Sequence, residues 1–249
     1  MFAALRALLF DPDSYFERRA SALDGVRGFV VAAVVAVLLT VVVGAALFGL
    51  SEQMTGTTTI DNPDRPPEVF CEDGGAMPST NGSGPDATDR CDLPAEVDRD
   101  VGELFWQAAS GQLPLLFVGV GIVWFGVGIA LYVAAKLANG RGSFSETLAV
   151  TAYGTVPSLL TAVAGAGLLV WFAANADLGT GDTERLAAQF RQLTVGVSGL
   201  ALTGVQLVGV VWQVYVWTYG LVHAHDLPAR AAGAAAGSVG ALLALGVLL

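Results

Sequence analysis

GFVVAAVVAVLLTVVVGAALFGLS, residues 28–51, decides how this chain folds: 24 consecutive positions carry no Asp, Glu, Lys, Arg or His. A bilayer core is about 30 Å thick, and a helix needs about 20 apolar residues to cross it. Four further stretches have the same character: Leu104 to Ala135, Thr147 to Asn175, Gln192 to Val222 and Ala231 to Leu249. The spacing predicts spanning helices over 28–50, 112–136, 147–173, 195–222 and 230–249. The expected fold class is therefore all-α: a polytopic transmembrane bundle of five helices.

Composition agrees. Charged residues make up 14% of the chain, against about 25% in soluble domains. A soluble all-α protein would have to hide five apolar helices behind very little polar surface. Net charge is −10, which argues against nucleic acid, whose binders cluster basic residues. Lys136 is the single lysine. This acidic, lysine-poor composition resembles proteins of salt-loving archaea, where net charge favours solubility. The first ten residues are too short for a signal peptide and carry Arg6, and the first long apolar run exceeds an h-region of about 7 to 15 residues, so it is expected to be a retained span.

Basic residues set the expected orientation. Arg6, Arg18, Arg19 and Arg27 precede the first span, Lys136 and Arg141 follow the second, and Arg230 follows the fourth. These seven would face the cytoplasm under the positive-inside rule. Arg65, Arg90, Arg99, Arg185 and Arg191 fall on the other side, in loops that are strongly acidic. Long loops translocate largely regardless of charge. The expectation is a cytoplasmic N-terminus and an extracytoplasmic C-terminus in the cell membrane. Trp106 and Trp171 are placed as outer interfacial anchors; Tyr132, Trp217 and Tyr219 as inner ones.

Residues 1–24 read as an amphipathic lead-in along the inner leaflet. Phe2, Leu5, Leu8 and Leu9 recur near helical spacing, and Asp11-Pro12-Asp13 separates them from Tyr15 and Phe16. Residues 51–103 form the one hydrophilic excursion and hold 13 of the 22 acidic residues. Rich in Pro, Gly, Asp, Ser and Thr, this segment is expected to be a long acidic loop with little regular structure. It contains both cysteines, Cys71 and Cys91. Outside the cell such a pair can oxidise or stay as two thiols; two cysteines alone lack the ligands for zinc. Asn81-Gly82-Ser83 is a glycosylation sequon. Ser143 or Ser145 can cap the third helix with Glu146 behind it. Asp182 or Thr183 is expected to start a helix carrying Leu186, Phe190 and Leu193 on one face.

Catalytic chemistry is not legible. No ionisable side chain falls near the middle of a span, where proton relays and ion pathways place theirs. No phosphate loop, dinucleotide fingerprint or nucleophile elbow occurs. His223-Ala224-His225-Asp226 looks metal-like, but positions two apart on a helix face different ways. Histidines also suit the negative C-terminal end of the fourth helix, which Pro228 stops. No catalytic residue, metal ligand or cofactor is therefore assigned. Gln206 and Gln213 are the most polar groups of the fourth span, where glutamines hydrogen-bond neighbouring helices or line a path. Gly233-xxx-Gly237 and Ala232-xxx-Ala236 allow close packing inside the chain, or self-association. Pro157 is a helix-kink candidate, because it lacks a backbone donor.

Three pieces together resemble the Yip1-domain family of small multispanning membrane proteins. Leu9-Phe10-Asp11-Pro12-Asp13-Ser14-Tyr15-Phe16 is similar to the Pro-x-x-Phe/Tyr-Phe lead-in of prokaryotic members. Ser143-Phe144-Ser145-Glu146-Thr147 and Ala152-Tyr153-Gly154-Thr155-Val156-Pro157 resemble the family's inner loop and the start of its third helix. Trp212 through Leu227, with Trp217, Gly220, Leu221 and His225, resembles the end of its fourth helix. The resemblance implies a single membrane domain over 1–249, non-enzymatic, that acts by helix packing and partner binding in membrane organisation or trafficking-like roles. Eukaryotic members bind small prenylated GTPases of the Rab type. This chain lacks their long N-terminal region and Asp-Leu-Tyr-Gly-Pro motif, so no GTPase-binding residue carries over. The expected partners are the lipid bilayer and other membrane proteins. Tyr15, Phe16, Arg18, Arg19, Arg141 and His225 are the candidate contact residues. The alternative is a channel or permease subunit with a pore between subunits, lined by Gln206, Gln213, Tyr153 and Tyr215.

Overall fold

The computed structural model describes residues 2–72, 90–175 and 197–248. The Asn81 sequon and the helix expected at Asp182 or Thr183 lie outside the described residues. In chain order the elements are α1 (Phe2–Phe10), α2 (Pro12–Glu17), α3 (Gly25–Ser51), β1 (Thr57–Asp61), α4 (Glu68–Glu72), β2 (Glu96–Asp100), α5 (Val101–Ser110), α6 (Leu113–Leu137), α7 (Phe144–Gly154), α8 (Val156–Ala174), α9 (Val197–His225) and α10 (Ala229–Leu248).

Among the described residues, five helical stretches are long and apolar enough to cross a membrane: Gly25–Ser51, Val101–Leu137, Phe144–Ala174, Gly199–His225 and Ala229–Leu248. Their outward faces carry Phe29, Val37, Val41, Ile122, Val123, Val163 and Val211, all exposed. Water would not tolerate that surface, whereas lipid solvates it. The protein is a multi-pass integral membrane protein.

Local chemistry explains the helix ends. Asp24 caps α3 by accepting from Arg27 N at 2.8 Å. Ser143 and Glu146 close a reciprocal capping box on α7, with Ser143 N donating to Glu146 Oε2 at 2.6 Å and Glu146 N to Ser143 Oγ at 3.3 Å. α6 ends in a Schellman turn: Gly140 N donates to Ala135 O at 2.8 Å and Asn139 N to Lys136 O at 3.0 Å. Asn139 takes the left-handed conformation that this turn requires, at φ 65°.

α7 is the hub. It packs against α3, α6 and α9, and its Thr147, Ala149, Val150, Thr151 and Ala152 are completely buried. The start of α3 is tied to it, with Gly25 N donating to Ser145 Oγ at 2.7 Å. Trp217 of α9 lies against Gly154 and donates Nε1 to Thr151 O at 3.4 Å. A Cβ on Gly154 would stand inside the indole ring. Ala232, Ala235 and Ala236 are buried where α10 packs along α9, so the Ala232-xxx-Ala236 pair serves packing within the chain, whereas Gly237 of the neighbouring pair has open space around it.

Pro157 interrupts the third span. α7 stops at Gly154, Thr155 bridges, and α8 restarts with Pro157 in its first turn. The Thr155 amide divides between Thr151 O and Ala152 O, both at 3.2 Å. Pro157 itself is fully buried, where no water could satisfy the carbonyls it leaves free.

The hydrophilic segment departs from the expected irregular loop. β1 and β2 pair antiparallel, with Thr57 opposite Asp100, Thr59 opposite Asp98 and Asp61 opposite Glu96. Thr59 Oγ1 donates to Asp98 Oδ1 at 2.7 Å. β-Branched Thr57, Thr58, Thr59, Ile60 and Val97 favour the pleated backbone, but the pairing joins distant residues and composition does not announce it. The Cys71 and Cys91 sulfurs are bonded to each other, with Cα atoms 5.7 Å apart. The ribbon leads directly into α5, which packs on the end of α3. There Leu50 and Ala173 are buried, with Leu47, Val101, Phe105 and Leu169 around them.

Candidate functional site

The main core lies at the other end of the bundle, where the lead-in, the 138–143 turn and the α9–α10 turn meet. Here α1 and α2 are docked on the helices. Trp212 Nε1 donates to Leu9 O at 2.9 Å, and the Phe10 and Trp212 rings stand 5.8 Å apart. His223 Nε2 lies 2.7 Å from Asp13 Oδ1, a hydrogen bond that becomes an ion pair when the imidazole is protonated. α2 is fixed by Pro12 in its first turn and by the Asp11 side chain, which accepts from Ser14 N at 3.3 Å.

This docking corrects the expectation for two contact residues. Tyr15 is 6% exposed and Phe16 0%. Their rings pack on Tyr153 of α7, with centroids 5.7 and 6.1 Å away. They serve as apolar plugs for the bundle rather than as free contacts, because aromatic rings gain more from a closed pocket than from water. Arg19 lies over the Tyr15 ring at 4.4 Å. Burial pushes the Tyr15 phenol up to about 12, and neighbouring Tyr153 adds to the shift while Arg19 opposes it.

His225 is corrected in the same way, at 1% exposure. Thr147 Oγ1 donates to Ser143 O at 3.0 Å, so its oxygen is free to accept from His225 Nε2 at 2.7 Å. That arrangement places the imidazole proton on Nε2. Nδ1 is then a bare acceptor, buried and without a partner. Arg141 N donates to His225 O at 3.0 Å, and Gly140 and Gly142 pass against the ring so closely that a Cβ on either would collide with it. His225 is a staple between α9, α7 and the 138–143 turn. His223 and His225 have separate partners, Asp13 and Thr147, and do not converge. Among the described residues no group of three or more His, Cys, Asp or Glu side chains could hold a metal ion.

Arg18, Arg19 and Arg141 remain exposed. Together with the exposed apolar face of α1, including Leu5 and Phe10, they form the outward surface of this end. The four residues named as lining for a pore between subunits have different surroundings in the single chain. Tyr153 belongs to the aromatic cluster, Gln206 and Tyr215 are exposed, and half-buried Gln213 lines an open-sided cavity.

Several of these relationships escape a reading of the sequence: the Thr147–His225 link, the Trp212 contact with Leu9, and the surroundings of Gln213. A signal existed for the first, since Thr147 and Thr151 recur one helical turn apart within an apolar helix. Comparisons with curated proteins and with solved structures return no match. The family model of the Yip1 domain matches residues 6–249, nearly the whole chain, and the protein belongs to the Yip1-domain family.

Proposed function

We propose that this Yip1-family protein acts without catalysis, as a membrane-organising protein that captures other membrane proteins through the surface formed by Arg18, Arg19 and Arg141. The observation that carries this reading is the division of labour within α2 and its flank. Tyr15 and Phe16 are spent inside the bundle, while the adjacent arginines stand outside it. A lead-in that only covered hydrophobic surface would not need two exposed guanidinium groups beside its buried rings. The partner is a membrane protein presenting an acidic face, because guanidinium pairs with carboxylates in a bidentate manner.

The surface faces the cytoplasm and the C-terminus lies outside the cell membrane. Seven basic residues at this end and a cystine at the other support that placement. Labelling of single cysteines introduced at either terminus, with a membrane-impermeant maleimide on intact cells, tests it. Labelling of both termini from one side would defeat the orientation.

Capture is tested on the full chain by crosslinking in native membranes followed by purification. Arg18→Glu, Arg19→Glu and Arg141→Glu together should reduce co-purifying proteins at least several-fold, with the thermal transition unchanged. Equal recovery from the variant and the native chain would refute the surface.

A further inference from the structure

A cavity of about 320 Å³, open on one side where exposed Val123 lines it, lies between the helices, bounded by Leu39 of α3, Gly119 and Val120 of α6, Ser158 of α8, and Gln213 and Trp217 of α9. α6 packs on α3, α7 and α10, and the cavity separates its first half from the start of α8 and the middle of α9. Its walls are almost entirely hydrocarbon. The polar groups gather at the break in the third span, where Thr155 and Ser158 face Gln213. Ser158 Oγ donates to Thr155 O and Thr155 Oγ1 to Ala152 O, so both hydroxyl protons are used. The Gln213 carboxamide has no hydrogen-bond partner among the described residues.

Gln213 sits near the midpoint of the Gly199–His225 span. A bare amide there is costly, because neither lipid tails nor bulk water can pair with it. The cavity has the size of a small-ligand site, and its pattern of an apolar wall with one or two polar groups is that of such sites. No Asp, Glu, Lys or Arg lines it, so nothing in it can balance a charge. We propose that this cavity binds one neutral, bilayer-dissolved lipid that carries a carbonyl group, with the Gln213 amide donating to that carbonyl. A phospholipid cannot supply the acceptor, since its carbonyls and phosphate stay at the interface while Gln213 lies at the middle of the membrane. Lipid ketones and prenyl or alkyl quinones share the required chemistry.

The structure also supplies the test. Trp124 and Trp217 line the cavity, so their fluorescence reports an occupant. Gly119 and Gly121 each have open space where a Cβ would be built, but only Gly119 lines the cavity. The full chain is placed in phosphatidylcholine nanodiscs and titrated with two quenchers, a benzoquinone bearing a decyl chain and 1-bromododecane, which lacks a carbonyl. The native chain should show saturable quenching by the quinone. Gly119→Leu should abolish the saturable part and Gly121→Leu should retain it. Gln213→Leu should weaken the quinone roughly threefold to fifteenfold, the range of intramembrane hydrogen bonds, and leave bromododecane unchanged. Quenching that rises linearly and equally in all four proteins would mean partition into lipid alone and would overturn the proposal. Equal quinone affinity in the native chain and Gln213→Leu would overturn it as well, and that comparison decides the matter if Gly119→Leu does not assemble.

Discussion

His225 Nε2 and Thr147 Oγ1 are 2.7 Å apart in a fully buried contact that joins the end of α9 to the start of α7. The threonine oxygen accepts because its own proton goes to Ser143 O. Thr147→Val should leave the imidazole proton unpaired in a dry site, at a cost of about 1–3 kcal/mol. Chemical denaturation in detergent measures it, and a midpoint equal to that of the native chain would show that the bond contributes nothing.

Tyr15 makes stability depend on alkaline pH. Its phenol titrates at about 12 in the folded protein, above the ordinary 10.0, because burial disfavours the phenolate. Below the unfolded value both states hold the proton and the full stability is present. Between the two values the unfolded chain has lost the proton and the folded chain has not, so stability falls as pH rises from about 10 to about 12. Tyr15→Phe should flatten that part of the curve. Thermal unfolding across this range distinguishes the two proteins.

Within the lead-in, α1 packs chiefly on α2 and meets the bundle mainly through Leu8, Leu9 and Phe10, so it should open before the bundle does. Trp212→Phe keeps an aromatic ring but removes the donor to Leu9 O. The loss of about 0.5–1.5 kcal/mol should appear as faster amide exchange in α1, with the exchange of α7 unchanged. Uniform acceleration across all helices would mean that α1 is not a separate unit.

The cystine should govern the β-ribbon alone. Cys71 and Cys91 are 20 positions apart, and closing a loop of that length is worth roughly 3 kcal/mol to the segment it constrains. Reduction, or Cys91→Ser, should expose the 57–100 segment to protease while the spanning helices keep their circular dichroism. Equal protease resistance with and without reductant would count against the bridge.

Gly154 and Gly165 separate a packed glycine from a merely small one. Gly154→Ala would place its methyl in the Trp217 ring, whereas Gly165 has open space around it. Overpacking costs about 1–3 kcal/mol or more, so Gly154→Ala should lower the melting temperature by several degrees. Gly165→Ala should be neutral or slightly stabilising.

Much of the architecture was legible before any coordinates. A run such as residues 28–51 is apolar over the thickness of a bilayer, and a backbone in lipid must satisfy its own hydrogen bonds, so it becomes a helix whatever its neighbours do. The capping box at Ser143 and Glu146 and the break at Pro157 are equally local, because each rests on groups three or four residues apart. The fate of side chains that could turn either way was not legible. Tyr15, Phe16 and His225 read as surface residues on a short polar lead-in and at a helix end. Only the arrival of Tyr153, Thr147 and the 138–143 turn makes them core. Likewise Thr57–Asp61 and Glu96–Asp100 form strands only in each other's presence, and Gln213 acquires a cavity only where the broken third span stands away from α6. Length and hydropathy act along the chain and can be read there. Burial and partnership depend on which distant segments meet, and the tertiary packing of the helices alone decides that.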